Sequence, residues 1–224
     1  MKNLPNTLPI FPLSGVIYFP KTNLPLNIFE QRYLNLVNDA YNRDKLMGMV
    51  QSKKEIGSVY QVGCLGKISD YQKSKDGRIL INLTGISRFK ILEEISNDKL
   101  YREFKVDYKD FNEDNIEANN LINTKSLMDN AKNFFKKYGL LLNWKEFEKL
   151  DQSQKINTLA MIAPITNEEK QKLLESISLK NKVETLERII SPMGTMDGIE
   201  FLIAKLKNTK NNADFFDSMN KSAN

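Results

Sequence analysis

The sequence contains no histidine and only one cysteine in 224 residues. Without histidine the chain cannot form a Ser-His or Cys-His nucleophile pair, and it lacks the commonest general base. The single Cys64 rules out an internal disulfide, and the absence of histidine removes zinc sites built from nitrogen and sulfur ligands. We therefore predict no catalytic residue, no metal and no cofactor.

Long hydrophobic runs are also missing. No apolar segment approaches the roughly 18 residues that span a bilayer, because Lys, Glu or Asn interrupts each candidate helix. The segment MKNLPNTLPIF at the start lacks the basic region and the continuous apolar core of a secretory signal. The sequence thus predicts a cytoplasmic protein with no membrane partner.

The net charge of +5 lies entirely in the first half of the chain. Residues 1–110 contain 17 Lys and Arg against 12 Asp and Glu, whereas residues 111–224 contain 16 of each. A basic half can attract nucleic acid. However, no run of clustered arginines or interleaved aromatic residues occurs, as phosphate recognition would favour. The composition therefore argues against nucleic acid as the main partner.

The stretch from Leu8 to Leu34 organises the rest of the chain. It holds four of the seven prolines, which forbid one long helix and favour extended segments joined by turns. Helical spacing begins at Asn27, which forms a capping pattern with Glu30 and predicts a helix at about 28–42. Phe29 and Tyr33, one helical turn apart, are expected to pack on the preceding strands.

Beyond this stretch the apolar period is two up to Tyr108 and about 3.6 after Asp110. The turn at Asp76-Gly77 predicts an antiparallel hairpin. The sequence therefore predicts an α+β fold, with a β-rich lobe over residues 1–110 that carries one helix. A helical lobe is expected over residues 111–208, followed by a disordered tail over residues 209–224. Within the helical lobe, Asp151 with Gln154 and Thr166 with Glu169 predict helix caps, and Ser191-Pro192 predicts a break before a last helix over 195–207.

Several ordered motifs resemble the N-terminal domain of the Lon protease family. They are LPIFPL at 8–13, VIYFP at 16–20, LPLNIFEQRYL at 24–34, YQVGCLGKI at 60–68, RILINLTGISRFKI at 78–91 and EKQKLLE at 169–175. The IFE-x-RYL ending is most similar to free-standing bacterial members that contain this domain alone. The resemblance implies a twisted, barrel-like β lobe of the PUA-like type followed by a helical bundle.

The same resemblance implies a non-enzymatic protein with a polypeptide or protein client, acting as an adaptor, chaperone-like factor or modulator of proteolysis. No segment resembles the AAA+ motor or the proteolytic domain. A groove between the lobes is the expected site, and its candidate residues are Phe11, Tyr18, Phe19, Glu30, Arg32 and Tyr33. These residues also have a purely structural interpretation, because aromatic residues in a proline-broken β segment commonly form the core.

Two other hypotheses remain open from the sequence. An RNA-contacting PUA-like module would need Lys67, Arg78, Arg88 and Lys90 to converge on one face, because separated cations cannot follow a phosphate backbone. An enzyme would need carboxylates such as Glu30 or Asp70 in a cleft with perturbed ionisable groups.

Overall fold

The computed structural model describes residues 4–115, 122–137 and 139–193. Within these ranges the predicted α+β fold is confirmed, since all strands precede residue 108 and most helices follow it. The strands are β1 Thr7–Leu13, β2 Asn23–Ile28, β3 Leu46–Gln51, β4 Val62–Lys73, β5 Ile79–Ile95 and β6 Arg102–Asp107. The helices are α1 Gln31–Tyr41, α2 Lys125–Lys137, α3 Trp144–Glu148, α4 Gln152–Ile162, α5 Asn167–Glu175 and α6 Leu179–Met193, with a 3-10 segment at Lys109–Asn115.

The six strands form a barrel-like sheet. Their order is β2-β5-β4-β3-β1-β6, and β6 also pairs with β5, which closes the sheet on itself. β5 can serve both ends because it is 17 residues long, with β2 on its first half and β6 on its second. Strands β4 and β5 pair antiparallel across the turn that contains Gly77, so the predicted hairpin is confirmed.

A bulge at Gly85 brings the loop between β1 and β2 against β5. The β4–β5 register shifts between Leu65 and Gly66, opposite Ser87 and Gly85. A Cβ atom on Gly85 would lie 2.3 Å from the Phe19 carbonyl oxygen, so only glycine permits this approach. The loop is held there because the Lys21 and Gly85 amides donate hydrogen bonds to Gly85 and Thr22 carbonyls, each at 2.9 Å.

The loop carries side chains into two different cores. Ile17 and Phe19 pack with α2, α4, α5 and α6, whereas Tyr18 points to the core beneath α1. A third cluster, which includes Leu8, Leu65 and Phe89, fills the barrel. The two lobes are therefore joined by shared hydrophobic packing as well as by the chain.

Buried polar groups add a second connection between the lobes. Arg88 on β5 is 2% exposed and forms an ion pair with Asp114, with 2.8 Å between its Nη2 and the carboxylate. Lys182 on α6 is also buried and donates a hydrogen bond to Asn157 at 2.7 Å, and the Asn157 amide donates to the Pro20 carbonyl at 2.9 Å. Arg88 and Asn157 thus form contacts across the junction, and Lys182 supports Asn157 from within the helical lobe.

Helix ends agree only partly with the sequence patterns. The capping boxes of α4 at Asp151 and of α5 at Thr166 are confirmed. The predicted break at Ser191-Pro192 is wrong, because α6 continues to Met193. The helix expected over 195–207 and the tail over 209–224 lie outside the described residues. Among the described helices, none is long and apolar enough to cross a bilayer.

The first helix begins later than its sequence pattern suggests. Asn27 is a strand residue paired with Leu80, and the N-cap of α1 is Glu30, so the predicted Asn27 cap is wrong. Phe29 lies between β2 and α1 and is 60% exposed, so its expected packing on the strands is also wrong. Tyr33 is 9% exposed and does pack on β1, through Phe11.

Candidate functional site

A groove of about 1270 Å³ lies where the end of the barrel meets the helical lobe. We call it the inter-lobe groove. Its walls are residues 11–16 at the end of β1 and just beyond it, residues 26–30 at the junction of β2 and α1, and residues 51–60 at the end of β3 and in the β3–β4 loop. Arg32, Tyr33 and Arg102 complete the barrel side, and Asn167 and Glu168 at the start of α5 form the helical side.

The floor of the groove is aromatic. Phe11 and Tyr33 are 5% and 9% exposed, and their ring centroids are 4.2 Å apart with a 52° tilt. The Tyr33 hydroxyl donates a hydrogen bond to the Pro12 carbonyl at 3.3 Å. Burial raises the pKa of Tyr33, so its hydroxyl stays a neutral donor at physiological pH. The floor is thus fixed in position before any ligand arrives.

Two exposed apolar side chains flank this floor. Phe29 is 60% exposed on one wall, and Ile56 is fully exposed in the β3–β4 loop on another. The loop is tied down because Lys53 N donates to the Ser58 carbonyl at 2.8 Å and Arg102 Nη1 donates to the Gly57 carbonyl at 2.8 Å. Isolated exposed apolar residues are common, and here two of them border the same concave surface.

The rim carries charges of both signs. Arg32 donates two hydrogen bonds to the Glu30 carboxylate at 2.8 and 3.0 Å, and its guanidinium lies 4.6 Å from the Tyr33 ring centroid. Arg102 pairs with Glu94 through two hydrogen bonds, which lower the pKa of Glu94. Such half-exposed pairs contribute little free energy to folding.

Four of the six candidate residues line the groove: Phe11, Glu30, Arg32 and Tyr33. The expectation for Tyr18 and Phe19 is wrong, because they are 2% and 0% exposed. Successive residues of an extended chain point to opposite sides, and here both sides are covered, one by α1 and the other by the helical lobe.

The wall residues Phe29 and Ile56 were missed by the sequence-based prediction of the site. The available signal for Ile56 was a single large apolar residue within the otherwise polar loop segment Lys53 to Ser58. Gln51, at the start of that loop, was missed as well, because one glutamine at the end of an apolar strand has no distinctive pattern.

The structure does not assemble the RNA-contacting candidate, and of the two carboxylates in the enzyme candidate only Glu30 lines the groove. Arg88 is buried against Asp114, so the four cations required for RNA contact do not share an exposed face. Asp70 does not line the groove, and its carboxylate accepts a hydrogen bond from the Tyr71 amide at 2.9 Å. In the part of the chain that the structure describes, no group of three or more metal-ligating side chains is found.

The closed six-stranded sheet and the helical lobe together have the fold of Lon N-terminal domains. The chain belongs to the family described as the ATP-dependent protease La (LON) substrate-binding domain, whose model matches residues 7–191. It is 28% identical over 207 residues to a Lon protease of Syntrophus aciditrophicus (strain SB), covering 84% of this chain and 25% of that protein.

Two solved structures share the fold. One is a Lon N-terminal domain protein from Xanthomonas campestris, with 22% identity, a TM-score of 0.61, and coverage of 83% of this chain and 97% of that chain. The other is the N-terminal domain of a Mycobacterium avium complex Lon protease, with 17% identity, a TM-score of 0.59, and coverage of 83% and 98%. The chain spans about a quarter of the length of the curated relatives it matches.

Proposed function

We propose that this protein binds extended polypeptide in the inter-lobe groove and acts in the cytoplasm as an adaptor, chaperone-like factor or modulator of proteolysis, without chemistry of its own. One observation carries the proposal: Phe29 and Ile56 are exposed on two different walls of a groove with an aromatic floor. Family membership in a substrate-binding domain supports the same ligand class.

The magnitude of the apolar contribution indicates weak, transient capture. Covering one Phe or Ile fully is worth about 1.5–3 kcal/mol. Because Phe29 is 60% exposed and Ile56 is fully exposed, the two anchors supply about 2–5 kcal/mol, while association costs at least about 4 kcal/mol in lost freedom. A single segment should bind weakly, and tight capture needs several segments of one unfolded chain or several copies of the domain.

The groove suits an unfolded chain better than a folded surface. An unfolded chain can place one apolar side chain between Phe29 and Ile56 without rearranging a core of its own. The Glu30–Arg32 pair and the other rim charges tolerate the polar residues that surround such a side chain, because both signs are present.

The test is the affinity for a reduced, carboxymethylated and fluorescently labelled protein, measured by anisotropy. Phe29→Ser and Ile56→Ser should each weaken binding by about five- to thirtyfold, since each removes most of one anchor. Leu92→Ser is the matched control, because Leu92 is 61% exposed but lies outside the groove. Equal weakening by Leu92→Ser, or none by Phe29→Ser and Ile56→Ser, would refute the proposal.

A further inference from the structure

Gln51 is a buried polar residue in the wall of the groove. It is the last residue of β3 and is 8% exposed. Side chains alternate along a strand, so Gln51 shares a face with Met47 and Met49, which belong to the core that contains Phe11 and Tyr33. Its side chain therefore continues the surface that forms the groove floor.

The side-chain oxygen of Gln51 has no hydrogen-bond partner among the described residues. Its Oε1 is fully shielded, whereas its backbone carbonyl accepts from the Tyr60 amide at 2.9 Å. A buried acceptor without a donor costs the free energy of desolvating that oxygen, and such groups are rare in folded proteins. A methionine in this position would fill similar space at no such cost, so the amide calls for a donor from outside the chain.

We propose that, when polypeptide binds, the Gln51 side chain turns toward the groove that it lines, and that its Oε1 then accepts a hydrogen bond from a backbone N–H of the bound chain, next to the apolar side chain held by Phe29 and Ile56. This inference rests on the proposed function and narrows its substrate class. The ligand is an extended segment with an apolar residue and a free backbone amide beside it. Helical segments are excluded because their amides are already bonded, and proline is excluded at that one position because it has no N–H.

A backbone donor fits a site that must accept many sequences. Every residue except proline offers the same N–H, so one acceptor can recognise an extended chain whatever its polar side chains. Phe29 and Ile56 then favour polypeptides with exposed apolar side chains, and Gln51 favours segments whose backbone amides are not already hydrogen-bonded.

The probe is a short fluorescent peptide of glycine and serine with a central Leu-Phe-Leu, prepared as a series with one backbone amide N-methylated at a time. With the wild-type protein, methylation at one amide near the centre should weaken binding by about three- to tenfold. Gln51→Met should weaken the unmethylated peptide by a similar factor and abolish the effect of that one methyl group.

Stability provides an independent readout of the same residue. Gln51→Met removes the unpaired acceptor, so the urea midpoint of the free protein should rise while peptide affinity falls. A residue that served only the fold would give the reverse result, with a lower midpoint and unchanged affinity for the correctly folded fraction.

The possible outcomes separate the role of Gln51 from the proposed binding of polypeptide in the groove. A wild-type protein that responds alike to methylation at every amide, or a Gln51→Met variant with the wild-type methylation profile, overturns the role of Gln51. If Phe29→Ser still weakens the same peptide, groove binding survives that result. If the wild-type protein binds neither this peptide nor the unfolded reporter, the proposed function falls as well.

Discussion

Replacing Arg88 by methionine tests whether one buried side chain joins the two lobes. Its Nε and Nη2 atoms donate to the Asp114 carboxylate at 2.8–3.2 Å. Nη1 donates to the Leu174 carbonyl at 3.0 Å and also contacts the Ser176 carbonyl, and Nη2 donates to the Ile177 carbonyl at 3.3 Å. These carbonyls end α5, where a cation is favoured by the helix dipole. Arg88→Met therefore removes the hydrogen bonds that join β5 to the 3-10 segment and to the end of α5.

Arg88→Met should lower the free energy of unfolding strongly because the buried Asp114 carboxylate remains without its partner. The side chains of Arg88 and Asp114 are 2% and 7% exposed, so removing the guanidinium strands a buried carboxylate. Breaking a buried pair in this way costs about 3–5 kcal/mol, against a typical domain stability of about 5–15 kcal/mol. Arg102→Met is the matched control, since Arg102 forms a similar two-pronged pair with Glu94 at 33% and 46% exposure. Arg102→Met should lower the free energy of unfolding by only about 0–1 kcal/mol.

The assay is urea denaturation followed by far-UV circular dichroism and by the fluorescence of Trp144, the single tryptophan, which lies in the helical lobe. Arg88→Met should unfold at a much lower urea concentration than Arg102→Met. The double variant Arg88→Met with Asp114→Leu should recover part of the loss, because it removes the stranded charge. Equal losses for Arg88→Met and Arg102→Met would refute the assigned role of the buried pair.

Two further predictions concern stability. Burial lowers the pKa of Lys182 from 10.5 to about 7, so between about pH 7 and pH 10 the unfolded chain binds more protons and stability should rise with pH. Lys182→Met should reduce this rise when urea midpoints are compared across that range, and Lys170, whose pKa burial lowers to about 8, supplies the remainder. An identical pH profile would contradict the buried-lysine explanation. Gly85→Ala should cost about 1–3 kcal/mol by forcing Cβ against the Phe19 carbonyl. An unchanged melting temperature for Gly85→Ala would show that the loop approach is not tight.

Local patterns in the sequence predicted the parts of the fold that local chemistry decides. The Asp76-Gly77 turn requires a positive φ, and Gly77 has a φ of 90°. The capping boxes at Asp151 and Thr166 depend only on residues within one helical turn. Each of these features can be recognised without knowing what packs against it.

The side chains that face the groove required knowledge of the whole fold. Phe29 matched a helical period, but β2 runs to Ile28 and α1 begins at Gln31, so neither element sets its direction. Arg88 alternates with apolar residues as an exposed strand residue would, yet Asp114, 26 residues later, buries it. The exposure of Phe29 depends on where two elements end, and the burial of Arg88 depends on a distant partner. The local spacing of apolar residues predicts neither.

The groove as a whole was predictable only in outline. Phe11, Glu30, Arg32 and Tyr33 could be proposed because they belong to the motifs that carry the Lon resemblance. The β3–β4 loop could not, because its contribution depends on Arg102 on β6 holding Gly57 in place. That contact joins residues 45 positions apart.

Photo-crosslinking would show directly whether an unfolded polypeptide binds in the inter-lobe groove. The Leu-Phe-Leu peptide would carry a photoreactive benzoyl group on its central phenylalanine, and the crosslinked residues would be located by mass spectrometry. Adducts are expected within residues 11–16, 26–33 and 51–60, and they should be lost on competition with the unlabelled unfolded protein. Adducts concentrated elsewhere, such as around the exposed Leu141 or Ile177 of the helical lobe, would contradict binding in the groove.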